Sequence, residues 1–536
     1  MASSQAKLIR SNPSDGPSVR ARLQAMTTEI VVETTSGRIR GTSDRGVEIF
    51  KGIPYAEPPL GDLRFRPPRK PTAWAGVRDA FEYGNMAVQS QNVFALPDDL
   101  LRLFTLAGKQ RLDEDCLYLN VWTSGREGSE RPVLFWCHGG AFITGSGSSP
   151  WSDGANLCRL DDVVVVSFNH RLGALGYLHL EDMAGGFENA GLAGMLDIVA
   201  ALEWVRDNIA QFGGDPNNVT IFGESGGGAK VSVLMAMPPA RGLFHKAIIQ
   251  SGPAVQMANR EDGTKTARQM LEHLGVDATD AGKLRELPAA KLLEAQVKVL
   301  AGVSRAAFAD RRRLGFNPVI DGTLFPGGPF APEAPLPSIN VPLMIGSNKD
   351  EMTLFLGHMP WVADATFESL PEALTPYLGD RAAEVVAAYR KAQPALRPDE
   401  IAIAIVSDLG VRAPSLVIAE RKLAQEAAPV FVYLFAWETP VLGGRLRSCH
   451  TLEIPFVFSN LETAELTGDD PARLPLGETM SRAWIAFARN GNPSHSGLPV
   501  WPSYSARMRA TMIFDTVCHL DIDPLGTERR VWETKQ

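Results

Sequence analysis

The sequence predicts an α/β fold in which a mainly parallel central sheet is flanked by helices. Two observations carry this. Short, near-continuous apolar runs rich in Val, Ile and Phe recur along the chain, and longer segments of helical periodicity separate them. Runs of this kind suit strands covered on both faces, as parallel strands between helical layers are. Alternation of strand and helix then points to the α/β class.

In chain order, PVLFWC (132–137), VVVVSFN (163–169), VTIF (219–222), KAIIQ (246–250), VPLMIG (341–346) and PVFVYLF (429–435) read as buried strands. AGLAGMLDIVAALEWVRDNIAQF (190–212) is the clearest helix, and it stops before Gly213-Gly214, as a helix should. From about 260 to 340 the pattern changes to helix-like segments such as TKTARQMLEHLG and AAKLLEAQVKVLAG. A second stretch, roughly 357–428, is helix-rich and Ala-rich. Both read as helical insertions over the C-terminal edge of the sheet, where open α/β sheets place their ligand sites. SQNVFALPDDLLRLFTLAGKQRL (90–112) reads as an apolar helical flap. Residues 1–28 are polar at the start and rich in Ser, Pro and Arg, the composition of a disordered tail, and 29–536 are read as one domain. No repeat of solenoid period interrupts it.

Composition narrows the function. Of 536 residues, 45% are hydrophobic and 21% charged, enough apolar material for a large core. The net charge of −8 argues against a nucleic-acid-binding surface. No apolar run reaches the roughly 18 residues of a membrane span, and the first 26 residues lack the apolar stretch of a secretory signal. Five cysteines, an odd number without such a signal, suggest reduced thiols in the cytoplasm. No His or Cys cluster has metal-site spacing, so neither a metal nor another cofactor is expected.

Chemistry enters at VTIFGESGGGAKVSVLMAM, which holds the chain's only GxSxG, Gly223-Glu224-Ser225-Gly226-Gly227. An apolar strand precedes it and a helix-compatible segment follows. That is the context of a nucleophile elbow, where small residues let the backbone turn sharply and expose the serine hydroxyl above the sheet. Upstream, a buried strand runs into His138-Gly139-Gly140-Ala141-Phe142, close to the glycine-rich loop whose N–H groups hold a tetrahedral oxyanion. A base and an acid are needed besides. On the residues alone His450, His495 and His519 all qualify as base, and either Asp350 or Glu351 as acid.

With FKGIPYAEPPLGDLRFRPP (50–68), EDCLYLNVW (114–122), FNHRLGALGYL (168–178), QFGGDPNNVTIFGESGGG (211–228), IGSNKDE (345–351) and CHTLEIPFVF (449–458), the chain resembles the type-B carboxylesterase and cholinesterase family, most of all its bacterial p-nitrobenzyl-esterase-like members. The resemblance covers nearly everything after residue 29. It implies an α/β-hydrolase fold and a serine esterase with Ser225 as nucleophile, Glu351 as acid and His450 as base, in the chain order Ser, acid, His. It implies oxyanion donors at Gly140, Ala141 and Gly226. Two departures stand out: Ala141 replaces a usual glycine and Gly226 a usual alanine. Neither removes an N–H, and Ala141 is expected to tighten the hole slightly. The resemblance further implies that Ser251, in IIQSG, hydrogen-bonds the triad acid, and that Arg64 with Glu114 and Arg171 with Asp197 form structural ion pairs.

The expected substrate is a small ester taken by a monomer or homodimer. No Trp occurs between Trp74 and Trp122, where cholinesterases carry the residue that holds a quaternary ammonium, and no Phe, Trp or Tyr occurs between Phe244 and Phe308 to narrow the acyl side. A roomy apolar pocket for neutral aryl or short-to-medium-chain alkyl esters is therefore expected, with Phe94, Phe104, Leu354 and Phe355 as lining candidates. Cleavage of amides or carbamates by the same triad is the alternative, and a non-catalytic binding module of cholinesterase type the remoter one.

Overall fold

The computed structural model describes residues 30–90, 94, 96–104, 110–127, 130–303 and 315–533. The N-terminal tail expected at 1–28 and part of the expected flap lie outside the described residues. One sheet organises the rest. Its strands are β1 (Ile30–Thr34), β2 (Gly37–Asp44), β3 (Val47–Pro54), β4 (Val77–Asp79), β5 (Tyr118–Thr123), β6 (Arg131–Cys137) and β7 (Val164–Phe168). It continues with β8 (Gly214–Glu224), β9 (Lys246–Gln250), β10 (Leu343–Asn348), β11 (Val430–Phe435), β12 (Ala510–Phe514) and β13 (His519–Ile522). Their spatial order is β1-β2-β3-β5-β7-β6-β8-β9-β10-β11-β12-β13, with β4 beside β2.

From β7 to β12 every pairing is parallel, and the strands outside that block pair antiparallel except β4, which runs parallel to β2. The parallel strands match the apolar runs, because helices cover both faces and every residue of β7, β10 and β11 is buried. Strands β1 to β5 and β12 to β13 extend the sheet beyond the runs read from the sequence. Where one face meets solvent the apolar run breaks, as in the alternating burial of β1.

The long helix expected at 190–212 is α-helical over Ala193–Asn208, with a tight 3-10 turn at each end, Ala190–Leu192 and Ile209–Phe212. The first insertion holds helices Arg260–Leu274 and Ala289–Ala301, whereas its described end, 315–340, is mostly irregular. The second is helical throughout much of its length, ending in Pro398–Ser407, a π-helical turn at Asp408–Arg412 and Ala413–Leu423. Taken as one helix, Pro398–Leu423 is long and apolar enough to cross a membrane, but 61% of its most apolar window is buried inside the fold. Its apolar residues are explained by packing, among them Ile401, Ile405 and Ile418 at 0% exposure.

The chain runs from β6 outward to β7 and returns to β8 on the other side of β6. The loops after β6 and β8 thus leave adjacent strands in opposite directions, which opens a crevice at the C-terminal edge.

Candidate active site

Ser225 sits in that crevice, between β8 and the buried helix Gly226–Ala236, with φ 56° and ψ −118°. The turn is possible because Gly223, Gly226 and Gly227 lack side chains. A Cβ on Gly223 would come within 2.6 Å of Cys137 O, and one on Gly227 within 2.0 Å of the same atom. The Ser225 N–H donates to Gln250 O at 2.8 Å and fixes the elbow to the end of β9.

Glu351 follows β10, and His450 follows β11 after a longer excursion. Both side chains are buried, at 0% and 5% exposure. The His450 Nδ1–H donates to Glu351 Oε2 at 2.5 Å, and the Asn348 N–H donates to Glu351 Oε1 at 2.8 Å. The other possible bases lie elsewhere: His495 Nε2 is 3.0 Å from Thr479 O, and His519 is exposed beside Val517 O. Asp350 points to Arg447, 3.6 Å away.

His450 Nε2 faces Glu224 Oε1 at 3.2 Å, and no hydrogen bond joins it to Ser225 Oγ in this arrangement. Burial alone would lower the imidazole pKa; the charges of Glu224 and Glu351 outweigh it and raise the pKa to about 9. A third buried carboxylate, Glu453, stands behind the pair. It accepts from Asn348 Nδ2 at 2.8 Å and from Gln250 Nε2 at 3.2 Å, and burial together with Glu351 raises it to about 7. Sequence reasoning missed both extra glutamates. Glu224 lies inside the GxSxG pentapeptide and Glu453 three residues after His450, so proximity along the chain was the available signal.

The oxyanion candidates converge. Gly140 (φ 87°) and Ala141 (φ 53°) are both left-handed, a conformation that costs a non-glycine residue. Among the described residues the N–H groups of Gly140, Ala141 and Gly226 have no acceptor. The helix start approaches the loop closely: a Cβ on Gly226 would lie 2.4 Å from Ala141 N and 2.2 Å from Ala141 O. Gly226 is therefore required by the position of Ala141, which the two departures from the family pattern did not reveal separately.

Ser251 requires a correction. Its hydroxyl is buried and makes no hydrogen bond among the described residues, and none joins it to Glu351. The backbone of Asn348 and the ring of His450 already occupy the two carboxylate oxygens, and the Ser251 backbone, left-handed at φ 48°, is tied to Gly346 O.

A cavity of about 600 Å³ opens above Ser225 and His450, and Phe94, Phe104, Leu354 and Phe355 all line it. Trp136, Val297, Leu300, Phe316, Tyr377 and Val411 extend the apolar wall. Phe355 packs its ring 5.3 Å from that of His450 and 5.9 Å from that of Phe94. Away from the cavity, Arg64 pairs with Glu114 at 2.5 Å and Arg171 with Asp197 at 2.6 Å, both nearly buried. All five cysteines are free thiols.

A sheet with this order, an elbow after its central strand and an acid and histidine on the following loops define an α/β-hydrolase. The chain belongs to the carboxylesterase family, whose sequence profile matches residues 28–521, and it is a carboxylic-ester hydrolase. It is 38% identical to para-nitrobenzyl esterase of Bacillus subtilis, across 94% of this chain and 98% of that one. It is 37% identical to phenmedipham hydrolase of Pseudarthrobacter oxydans, across 91% and 95%. The crystal structure of a Geobacillus stearothermophilus carboxylesterase at pH 6.2 superposes with a TM-score of 0.81 at 37% identity, covering 94% of this chain and 100% of that chain.

Proposed function

We propose that ester cleavage runs through Ser225, His450 and Glu351, with Gly140, Ala141 and Gly226 as oxyanion donors, on neutral aryl or short-to-medium-chain alkyl esters. The observation that carries this is the 2.5 Å contact between His450 and Glu351 at the floor of the cavity that holds Ser225. His450 Nε2 turns from Glu224 to Ser225 and takes the hydroxyl proton as Oγ attacks the ester carbonyl. Glu351 holds the ring's tautomer and stabilises the imidazolium. The carbonyl oxygen becomes an oxyanion facing the three N–H groups. Collapse expels the alcohol, protonated by His450, and leaves an acyl-enzyme that water cleaves by the same steps in reverse roles. No step needs a cofactor. The free thiols, four of them buried, support a cytoplasmic setting.

An organophosphonate should label Ser225 alone, and labelling of a different residue refutes the assignment. Turnover of p-nitrophenyl acetate beside matched anilides separates an esterase from an amidase built on the same triad.

A further inference from the structure

Lys230 is the one charged residue on the helix that begins at the elbow, and it is completely buried. Burying an ammonium is costly unless it is paired or well hydrogen-bonded. Among the described residues no carboxylate lies within ion-pair distance of it. Its Nζ instead donates to His138 O at 2.9 Å and to Ala141 O at 2.7 Å, and sits 5.2 Å from the centre of the Phe142 ring. Burial pulls the ammonium down to about 7, with Cys137 and Glu224 opposing that pull.

The two accepting carbonyls bracket the loop that carries the oxyanion donors. The carbonyls between them are also tied back. Gly139 O accepts from the His138 ring at 2.8 Å, and Gly140 O accepts from the N–H groups of Ile143 at 3.2 Å and Thr144 at 3.0 Å. His138 stays neutral, pushed down to about 3 by burial and by Lys230 itself. Every carbonyl from 138 to 141 is thus held within the protein, while the N–H groups of Gly140 and Ala141 have no internal partner. A peptide segment whose oxygens are fixed in this way cannot rotate to present them to the substrate's carbonyl. This matters at Ala141, whose left-handed backbone is strained for a residue that carries a Cβ.

We propose that Lys230 is a positioning residue for the oxyanion site, its ammonium clamping the carbonyls of His138 and Ala141 so that the loop keeps its N–H groups aimed at the reacting oxygen. This rests on the assignment of Ser225 and its oxyanion donors made above. Lys230 touches no substrate, so its loss should weaken binding of the tetrahedral state and leave ground-state binding nearly intact.

The test is Lys230→Met, which keeps length and apolar bulk, assayed on a p-nitrophenyl ester and against an aryl trifluoromethyl ketone. The ketone adds the Ser225 oxygen to its carbonyl carbon, passes the serine proton to His450 and leaves a bound oxyanion. The expected result is a loss of roughly 10- to 100-fold in kcat, less than or comparable to deleting one oxyanion donor. KM should stay within about threefold, and the ketone's Ki should rise by the same factor as kcat falls. Lys230→Gln, with two amide N–H donors on a shorter arm, should fall between wild type and Lys230→Met. A Lys230→Met enzyme with kcat within threefold of wild type overturns the proposal, as does a loss of kcat with unchanged ketone affinity. If Lys230→Met does not fold, Lys230→Gln is judged by the same ratios; failure of both to fold makes Lys230 a folding residue and also overturns it. Ser225→Ala in parallel keeps the two readings apart: an active Ser225→Ala enzyme defeats the triad, whereas an inactive one beside a fully active Lys230→Met defeats only the clamp.

Discussion

At Ser225 the side chain contributes one hydroxyl to a turn whose shape is set by the backbone. Its N–H bond to Gln250 and the close glycine contacts of the elbow survive truncation. Ser225→Ala should therefore fold and melt like the parent while losing at least roughly 10⁴-fold in turnover, because triad residues act as a unit; activity within tenfold of wild type would contradict the triad. His450 sets the pH response. Neutral imidazole accepts the proton, so kcat/KM rises as pH rises through the base's pKa in the free enzyme. An imidazole with one carboxylate beside it suggests an acidic limb near pH 6–7. Here Glu224 and Glu351 both stabilise the imidazolium, raising the pKa to about 9, so the limb should lie above neutrality. Glu224→Gln removes one of those charges and should move the limb to lower pH. A wild-type limb at pH 6, unmoved by the substitution, would show that Glu224 does not face His450 in solution. Ser225 and the loop from His138 to Ala141 were legible because each is a contiguous motif. Glu351 and His450 were not legible from residues alone, since their contact joins positions 99 residues apart and only the family resemblance chose between Asp350 and Glu351 and among the histidines.

The elements show the same division. Strands β6 to β11 could be read as apolar runs because helices bury both faces, whereas β2, GRIRGTSD, carries polar residues on its solvent side and gave no such signal. The π-helical turn at Asp408–Arg412 was also illegible. Its extra residue is held by the buried Asp408–Arg412 pair at 2.5 Å, and that turn brings Gly410 and Val411 to the cavity wall. Packing between elements makes a prediction at the oxyanion loop. Gly226→Ala drives a Cβ into the backbone of Ala141 and should cost roughly 10²-fold in kcat. Adding Ala141→Gly frees that backbone to shift and should recover part of the loss, so the double-mutant cycle should show coupling of more than about 1 kcal/mol. Strictly additive effects would mean that the two positions do not pack as described.

At the scale of the whole molecule, the cavity of about 600 Å³ is walled mostly by apolar side chains from both insertions and from the sheet edge. An uncharged ester should outperform butyrylcholine in kcat/KM when acyl chain and leaving-group reactivity are matched. A preference of more than about tenfold for the choline ester, 1.4 kcal/mol, would mean that Trp136 or Glu224 supplies a cation site. The sequence indicated the size of this cavity through missing aromatics, but not Phe316 or Tyr377, which reach it from segments whose path is set by tertiary packing. The same long-range assembly has a kinetic side. Around the triad, Gln250 bonds Glu453 across 203 positions, and Trp484 bonds Gln250 across 234. Contacts of such separation close late, after local helices and neighbouring strands have formed. On dilution from denaturant, far-ultraviolet circular dichroism should recover first and hydrolysis of p-nitrophenyl acetate in a slower phase; coincident recovery would mean that the site assembles together with the secondary structure. On this expectation catalytic competence becomes a timer for the end of folding, since the serine, its acid and the histidine follow β8, β10 and β11 and meet only once those strands stand side by side across β9.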